Sequence, residues 1–176
     1  MSGRGIWLAL GGNLGDRAAN LRAGLDGLVA GGVEIEAVSA LWDTTPVAAA
    51  PGAVAQPRYA NAAAAGRCAL TAHELLVLCK RIEASAGRDL GAPTNSARPL
   101  DIDILLLEGE LLSAPDLQVP HARMHERDFV LVPLAEIAPQ LVHPVQERTI
   151  SELLAELDRP EIVPMEPAGW WRPQPD

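Results

Sequence analysis

Residues 98–107 read RPLDIDILLL, a run of branched apolar residues interrupted twice by aspartate. Five to eight apolar residues of this kind predict a buried strand, and a strand sends alternate side chains to opposite faces. The alternation places Leu100, Ile102, Ile104 and Leu106 on one face and Asp101 and Asp103 together on the other. Two ionised carboxylates at that separation repel unless a cation lies between them or water surrounds each one. Oxygen ligands on one edge suit Mg²⁺, which accepts one or two carboxylates and completes its shell with water and phosphate oxygens. Aspartates also guard exposed edge strands against aggregation. Spacing alone leaves both readings open.

The flanks favour the first. Arg88 and Arg98 bracket an irregular loop, 88–97, that leads into the aspartate strand, and Gly87, Gly91 and Pro93 give it the composition of a lid. Guanidinium groups there can neutralise the oxygens of a metal-bound polyphosphate. The chain has 14 basic residues, of which only Lys80 is lysine, so the planar two-pronged contacts fall to arginine. No GxxxxGK[ST] or GxGxxG motif occurs, and GGNLG at 11–15 has the wrong spacing for either.

Composition excludes several classes of function. With 176 residues, 48% of them apolar, the chain can enclose one core, and we expect a single domain over 1–160 followed by a proline-rich tail at 161–176. A net charge of -9 without a Lys/Arg block argues against nucleic acid and anionic membrane. No apolar run reaches membrane length, and the short one at 6–10 is too brief for a secretory signal. Cys68 and Cys79 form no CxxC, so a reducing, cytoplasmic setting and a monomer are the expectations.

Periodicity orders the elements. A strand at 6–10 turns through GGNLG into a helix capped by Asp16, with Leu21, Leu25 and Leu28 on one side and Gly31-Gly32 at its end. One strand is expected from 33 to 42 with Glu34 and Glu36 on its wet face, then a Pro/Ala/Gly loop at 45–57. Residues 59–68 suit either state, and their place between two loops favours a strand. Thr71 and Glu74 form a capping box for a helix to Gly87. After the aspartate strand, Glu108-Gly109-Glu110 should return the chain as a hairpin through Leu111-Leu112. Helices follow at 127–137, kinked or broken at Pro133, and at 151–157. This order predicts an α+β domain with helices on one face of a largely antiparallel sheet.

Tyr59 and Phe129 are the chain's sole tyrosine and phenylalanine, and both sit among polar residues, in RYAN and HERDF. Such a pair can sandwich a flat heteroaromatic ring whose edge the Asn61 amide reads. Two core aromatics with polar neighbours are the alternative. Of the four histidines, His121 after Pro120 is the one placed to donate to phosphate; His73 and His143 read as surface or turn residues, and His125 has no partner in sequence.

These segments together resemble a known family. LALGGNLGDR, TTPV, Tyr59-Ala60-Asn61, RIEASAGR, RPLDIDILLL and VPHARMHERDFVLVPLAEIAP, spanning about 8–139, are similar to 6-hydroxymethyl-7,8-dihydropterin pyrophosphokinases of folate biosynthesis. The resemblance implies a ferredoxin-like α+β sandwich and transfer of diphosphate from ATP to the hydroxymethyl group of 6-hydroxymethyl-7,8-dihydropterin, releasing AMP. It also implies two Mg²⁺ ions held by Asp101 and Asp103, catalytic Arg88 and Arg98, ATP contacts at Glu83, Arg98, Ile104, His121 and Arg127, and a pterin pocket of Thr45, Pro46, Tyr59, Asn61 and Phe129. Departures from the family pattern fall at Leu90, Asn95, Asp116 and Ala122, which bear on loop closure and ATP affinity. Read without the resemblance, the residues leave two rivals: a metal-dependent phosphohydrolase and a ferredoxin-like binding domain with solvated aspartates.

Overall fold

β1 (Arg4–Gly12) is hydrogen-bonded on both sides, to β4 (Tyr59–Cys68) and to β5 (Asp101–Leu107), antiparallel to each. A strand enclosed in this way needs apolar residues facing the core, and its Ile6, Leu8 and Leu10 are fully buried. Gly12 meets a second demand: a Cβ there would lie 2.1 Å from the Pro99 carbonyl oxygen, so only glycine lets the approach to β5 pass. The computed structural model describes residues 3–46, 55–89, 91–93, 96–158 and 162–173. Leu90, Asn95 and most of the 45–57 loop lie outside them.

α1 (Arg17–Ala30) begins at Asp16, whose side chain accepts from Ala19 N, and buries Leu21, Leu25 and Leu28. α2 (Ala72–Ser85) opens on the expected Thr71–Glu74 capping box. Both helices cover the sheet face that carries Ile6, Leu8, Leu10, Ile102 and Ile104. α3 (Asp128–Ile137) and α4 (Ile150–Ala155) pack on the other face, over Ala63, Leu105 and Leu106. The expectation of helices on one face is therefore corrected: the sheet is covered on both, and its strand order is β10 (Ile162–Glu166), β3 (Leu41–Thr44), β4, β1, β5, with β2 (Glu34–Val38) also on β4; β8 (Val142–His143) and β9 (Arg148–Thr149) pair apart from it. Among the described residues no helix is long and apolar enough to cross a membrane.

Four local readings also change. The single strand expected at 33–42 is two, β2 (Glu34–Val38) and β3 (Leu41–Thr44), which pair with successive parts of β4. Every backbone polar group at the break is satisfied: Ser39 N donates to Ala63 O, Ser39 O accepts from Trp170 Nε1, Ala40 N donates to Glu136 Oε2 and Ala40 O accepts from Ser39 Oγ. In β5 the register slips between Leu8↔Ile104 and Trp7↔Leu106, making Leu105 the extra residue of a bulge. The bulge turns Leu106 away from Ile104 and into the cluster beneath α3 and α4.

The turn at Glu108–Glu110 forms, with Gly109 at φ 72° and Glu110 N on Leu107 O, but no hairpin with β5 follows. Instead β6 (Leu112–Ser113) pairs with β7 (Gln118–Val119), leaving the β5 edge for His121 N, which donates to Leu105 O at 2.8 Å. Finally, the C-terminal segment is part of the domain. β10 (Ile162–Glu166) adds to β3, and Trp171, 9% exposed, enters the α1/α2 core and donates to Asp26 Oδ1. A sequence pattern dominated by proline hid a strand whose partner is 120 residues earlier in the chain.

Candidate active site

The registers set the site. Asn61 and Asp101 are opposite the same residue, Gly11, and Ala63 and Asp103 are opposite Ala9, so Asn61, Asp101 and Asp103 share one sheet face. That face is the one α3 covers. Tyr59, two residues before Asn61, joins it.

Asp101 accepts from two arginines at once. Arg88 pairs with Oδ1, and Arg98 Nη2 lies 2.7 Å from Oδ2. Arg88 Nη1 also reaches Glu83 Oε2 at 2.8 Å. Burial opposes ionisation of Asp101, but the Arg98 and Arg88 charges outweigh it and hold the carboxyl below the usual carboxylate range. Asp103 behaves oppositely. Burial, then the neighbouring Asp101 charge, push its pKa up, and His121, Lys80 and Arg127 offset this only in part. Glu83 is fully buried and its pKa is raised by burial, against the bond from Ile102 N at 2.8 Å and the Lys80 ammonium at 3.0 Å.

His121 accepts at Nδ1 from Arg123 N, 3.2 Å away, which leaves Nε2 to carry the proton of the neutral ring. Burial lowers its pKa, and Arg127 lowers it further against the pull of Asp103. Arg127 itself lies 5.6 Å from the centre of the Phe129 ring, as Arg98 does from that of Tyr59. Burial raises the Tyr59 hydroxyl pKa, with Arg98 opposing.

The structure thus unites Glu83, Arg88, Arg98 and Asp101 in one ion-paired group and places Asp103, His121 and Arg127 within each other's field. Ile104 is 4% exposed in the core beneath α1 and α2, away from the aspartate face. Of the threonine pair, Thr44 is the buried one, accepting from Asn61 Nδ2 at 2.7 Å, whereas Thr45 is exposed and Pro46 half-buried. His143, expected at the surface, is 3% exposed because its Nδ1 accepts from Val145 N and Gln146 N inside a turn.

Sequence reasoning passed over Asn13. Its Oδ1 accepts from Arg98 N at 2.8 Å, and its Nδ2 donates to Gln56 Oε1 and Pro57 O, while Gln56 Oε1 also accepts from the Tyr59 hydroxyl. One buried amide joins the arginine loop to the aromatic ring. Its side chain lies in a turn that reads as punctuation, and nothing local marks it. Lys80 is different, since its i,i+3 spacing to Glu83 is a signal visible in a helix.

Two carboxylates on one face are the hard oxygen donors a divalent cation takes, and in this structure Arg88 and Arg98 hold that of Asp101. Among the described residues no hydrogen-bond donor or ion-pair partner reaches the Asp103 carboxylate. Arg98 Nε is buried without an acceptor, a donor suited to a phosphate oxygen.

Comparison with known proteins gives the family. The family described as 7,8-dihydro-6-hydroxymethylpterin-pyrophosphokinase (HPPK) matches residues 7–139, which hold every residue of the site. The chain belongs to this family. It is 43% identical over 153 residues to a 2-amino-4-hydroxy-6-hydroxymethyldihydropteridine pyrophosphokinase of Methylorubrum extorquens, covering 86% of this chain and 92% of that one. A Synechocystis protein of the same description is 35% identical, covering 93% and 81%. The fold is shared with a crystallised HPPK-DHPS in complex with substrates (TM-score 0.64, 14% identity) and with Plasmodium falciparum HPPK-DHPS with pteroate (TM-score 0.67, 14% identity). This chain is covered to 88% in both and spans 43% and 44% of those longer chains. The ferredoxin-like α+β expectation stands.

Proposed function

We infer that the protein is the HPPK of a folate pathway, transferring diphosphate from ATP to the hydroxyl of 6-hydroxymethyl-7,8-dihydropterin and releasing AMP. The observation that carries the reading is the sharing of one sheet face by Asp101, Asp103, Asn61 and Tyr59 within the family-matched span. A phosphohydrolase would need the aspartates but has no use for the aromatic and amide beside them.

Asp101 and Asp103 would hold two magnesium ions. The chemistry these supply in such a site is neutralisation of phosphate oxygens and acidification of a coordinated hydroxyl, so we assign no protein general base. Arg88 and Arg98 leave Asp101 for the triphosphate, since both oxygens of Asp101 are otherwise occupied. There they stabilise charge on the transferred group and the departing AMP. His121 Nε2–H and Arg127 add donors to the nucleotide, and Glu83 holds Arg88 and Lys80 below it; Ile104, turned into the core on the opposite face, is left out of the nucleotide site. Tyr59 and Phe129 stack the pterin, and Asn61, held by Thr44, reads its edge with Thr45 and Pro46 nearby. The 88–97 loop excludes water that would otherwise take the diphosphate. The reading includes a cytoplasmic monomer working on soluble substrates.

The deciding experiment incubates the protein with Mg²⁺, ATP and the hydroxymethyl dihydropterin and identifies the nucleotide released. AMP supports diphosphate transfer. ADP, or ATP turnover without pterin, overturns it.

A further inference from the structure

We propose that Glu136 is a positioning residue for the pterin half of the site. This inference rests on the pyrophosphokinase reading above. Glu136 is in the last turn of α3, and its two carboxylate oxygens grip the β2–β3 junction: Oε1 accepts from Trp42 Nε1 at 2.6 Å and Oε2 from Ala40 N at 2.8 Å. Charge-assisted bonds of this length are the strong ones, and here they join two separate elements.

Each end of the grip leads to a pterin residue. Phe129 precedes Glu136 by seven residues, two helical turns, so both are on the same side of α3 and about 10 Å apart along its axis. On the strand side, Trp42 is directly opposite Asn61 in the β3–β4 register, and Thr44, two residue pairs farther along β3, accepts from the Asn61 amide. Glu136 therefore spans the two walls of the pocket, the helix that carries the stacking ring and the strand that aims the reading amide.

Two further features give the grip something to do. Pro133 stands inside α3 and has no N–H to give the carbonyl four residues earlier, which is that of Phe129. The helix is thus least restrained by its own bonds at the residue that stacks. On the other wall, β3 is separated from β2 at Ser39–Ala40, and the Ala40 N–H has Glu136 as its partner. The carboxylate links the two walls directly, at the helix end beyond Pro133 and at the strand end beyond the β2–β3 break.

The test is steady-state kinetics and thermal unfolding of the full chain with Glu136→Ala, Glu136→Gln and Trp42→Phe. Glu136→Ala should raise KM for the pterin about tenfold while leaving KM for ATP within about twofold. Glu136→Gln retains the acceptor for Trp42 and loses one of the two bonds, so it should fall between. Trp42→Phe removes one donor, and combined with Glu136→Ala it should add nothing further, because both act through one contact. Unchanged pterin KM, or equal changes in both KM values tracking a lowered Tm, would overturn the proposal and leave Glu136 a stabilising residue only. Absence of AMP formation by the wild-type protein would instead remove the pyrophosphokinase reading, and this inference with it.

Discussion

Arg98 places one guanidinium nitrogen 2.7 Å from Asp101 Oδ2, and the same group lies 5.6 Å from the centre of the Tyr59 ring. A single arginine therefore occupies a carboxylate assigned to magnesium and the face of a ring assigned to the pterin. Arginine can do both because its charge is delocalised over a plane, a property lysine lacks. The site is held together by its own cations.

Arg98→Ala should lower kcat about 10²- to 10³-fold, the usual loss on removing a donor to developing charge. The dissociation constant for the pterin should change much less, and Arg98→Lys should recover little. Rapid-quench measurement of AMP formation checks the rate, and an unaltered rate would remove Arg98 from the mechanism.

Asp101 and Asp103 should respond to neutralisation with opposite signs. The Asp101 pKa is depressed in the folded protein, so its stabilisation is present above the unfolded value of about 3.9 and is lost as pH falls through the folded value. The Asp103 pKa is raised, so its favourable form is the protonated one, present below that unfolded value and lost as pH rises through the folded value. At pH 7 without metal, Asp101→Asn should lower Tm, and Asp103→Asn should raise it, as thermal unfolding of the two variants checks. Both should abolish transfer.

Removing magnesium with a chelator should stop the reaction and abolish the rise in Tm that MgATP gives the wild type. Neither Asp101→Asn nor Asp103→Asn should show that rise. Calorimetric titration with MgATP supplies an independent measure; undiminished binding by both variants would place the ions elsewhere.

Gly12→Ala tests the crossing of β1 under the arginine loop. The added methyl would meet the Pro99 carbonyl oxygen at 2.1 Å, and the paired bonds Asn13 N to Arg98 O and Arg98 N to Asn13 Oδ1 would have to shift with it. A stability loss of about 1–3 kcal/mol is expected, typical of overpacking. Because the displaced residue is Arg98, kcat should fall as well. Chemical denaturation and kinetics on one preparation separate the two effects.

Trp171→Ala should cost about 3–5 kcal/mol, the range for emptying a large aromatic site in a core. Trp171→Phe retains most of the packing and loses the bond to Asp26, and should cost about 1 kcal/mol. Equal and negligible effects in urea unfolding would show that the C-terminal segment is dispensable to the domain.

What was legible in the chain was local. The periodicity of RPLDIDILLL places both aspartates on one face, Asp16 and the Thr71–Glu74 box begin helices, and the rarity of Tyr59 and Phe129 marks them in a core made of aliphatic residues. These readings need only the alternation of a strand, the orphan amides of a helix start, and composition. The tertiary structure decided everything that depends on partners far apart in sequence. The Leu105 bulge exists because β5 slips against β1, β10 exists because β3 offers an edge, and Asn13, Thr44 and Glu136 acquire meaning through hydrogen bonds to residues 17 to 96 positions away. A side chain's type announces which bonds it can make, but only the packed chain brings the other half of each bond within reach.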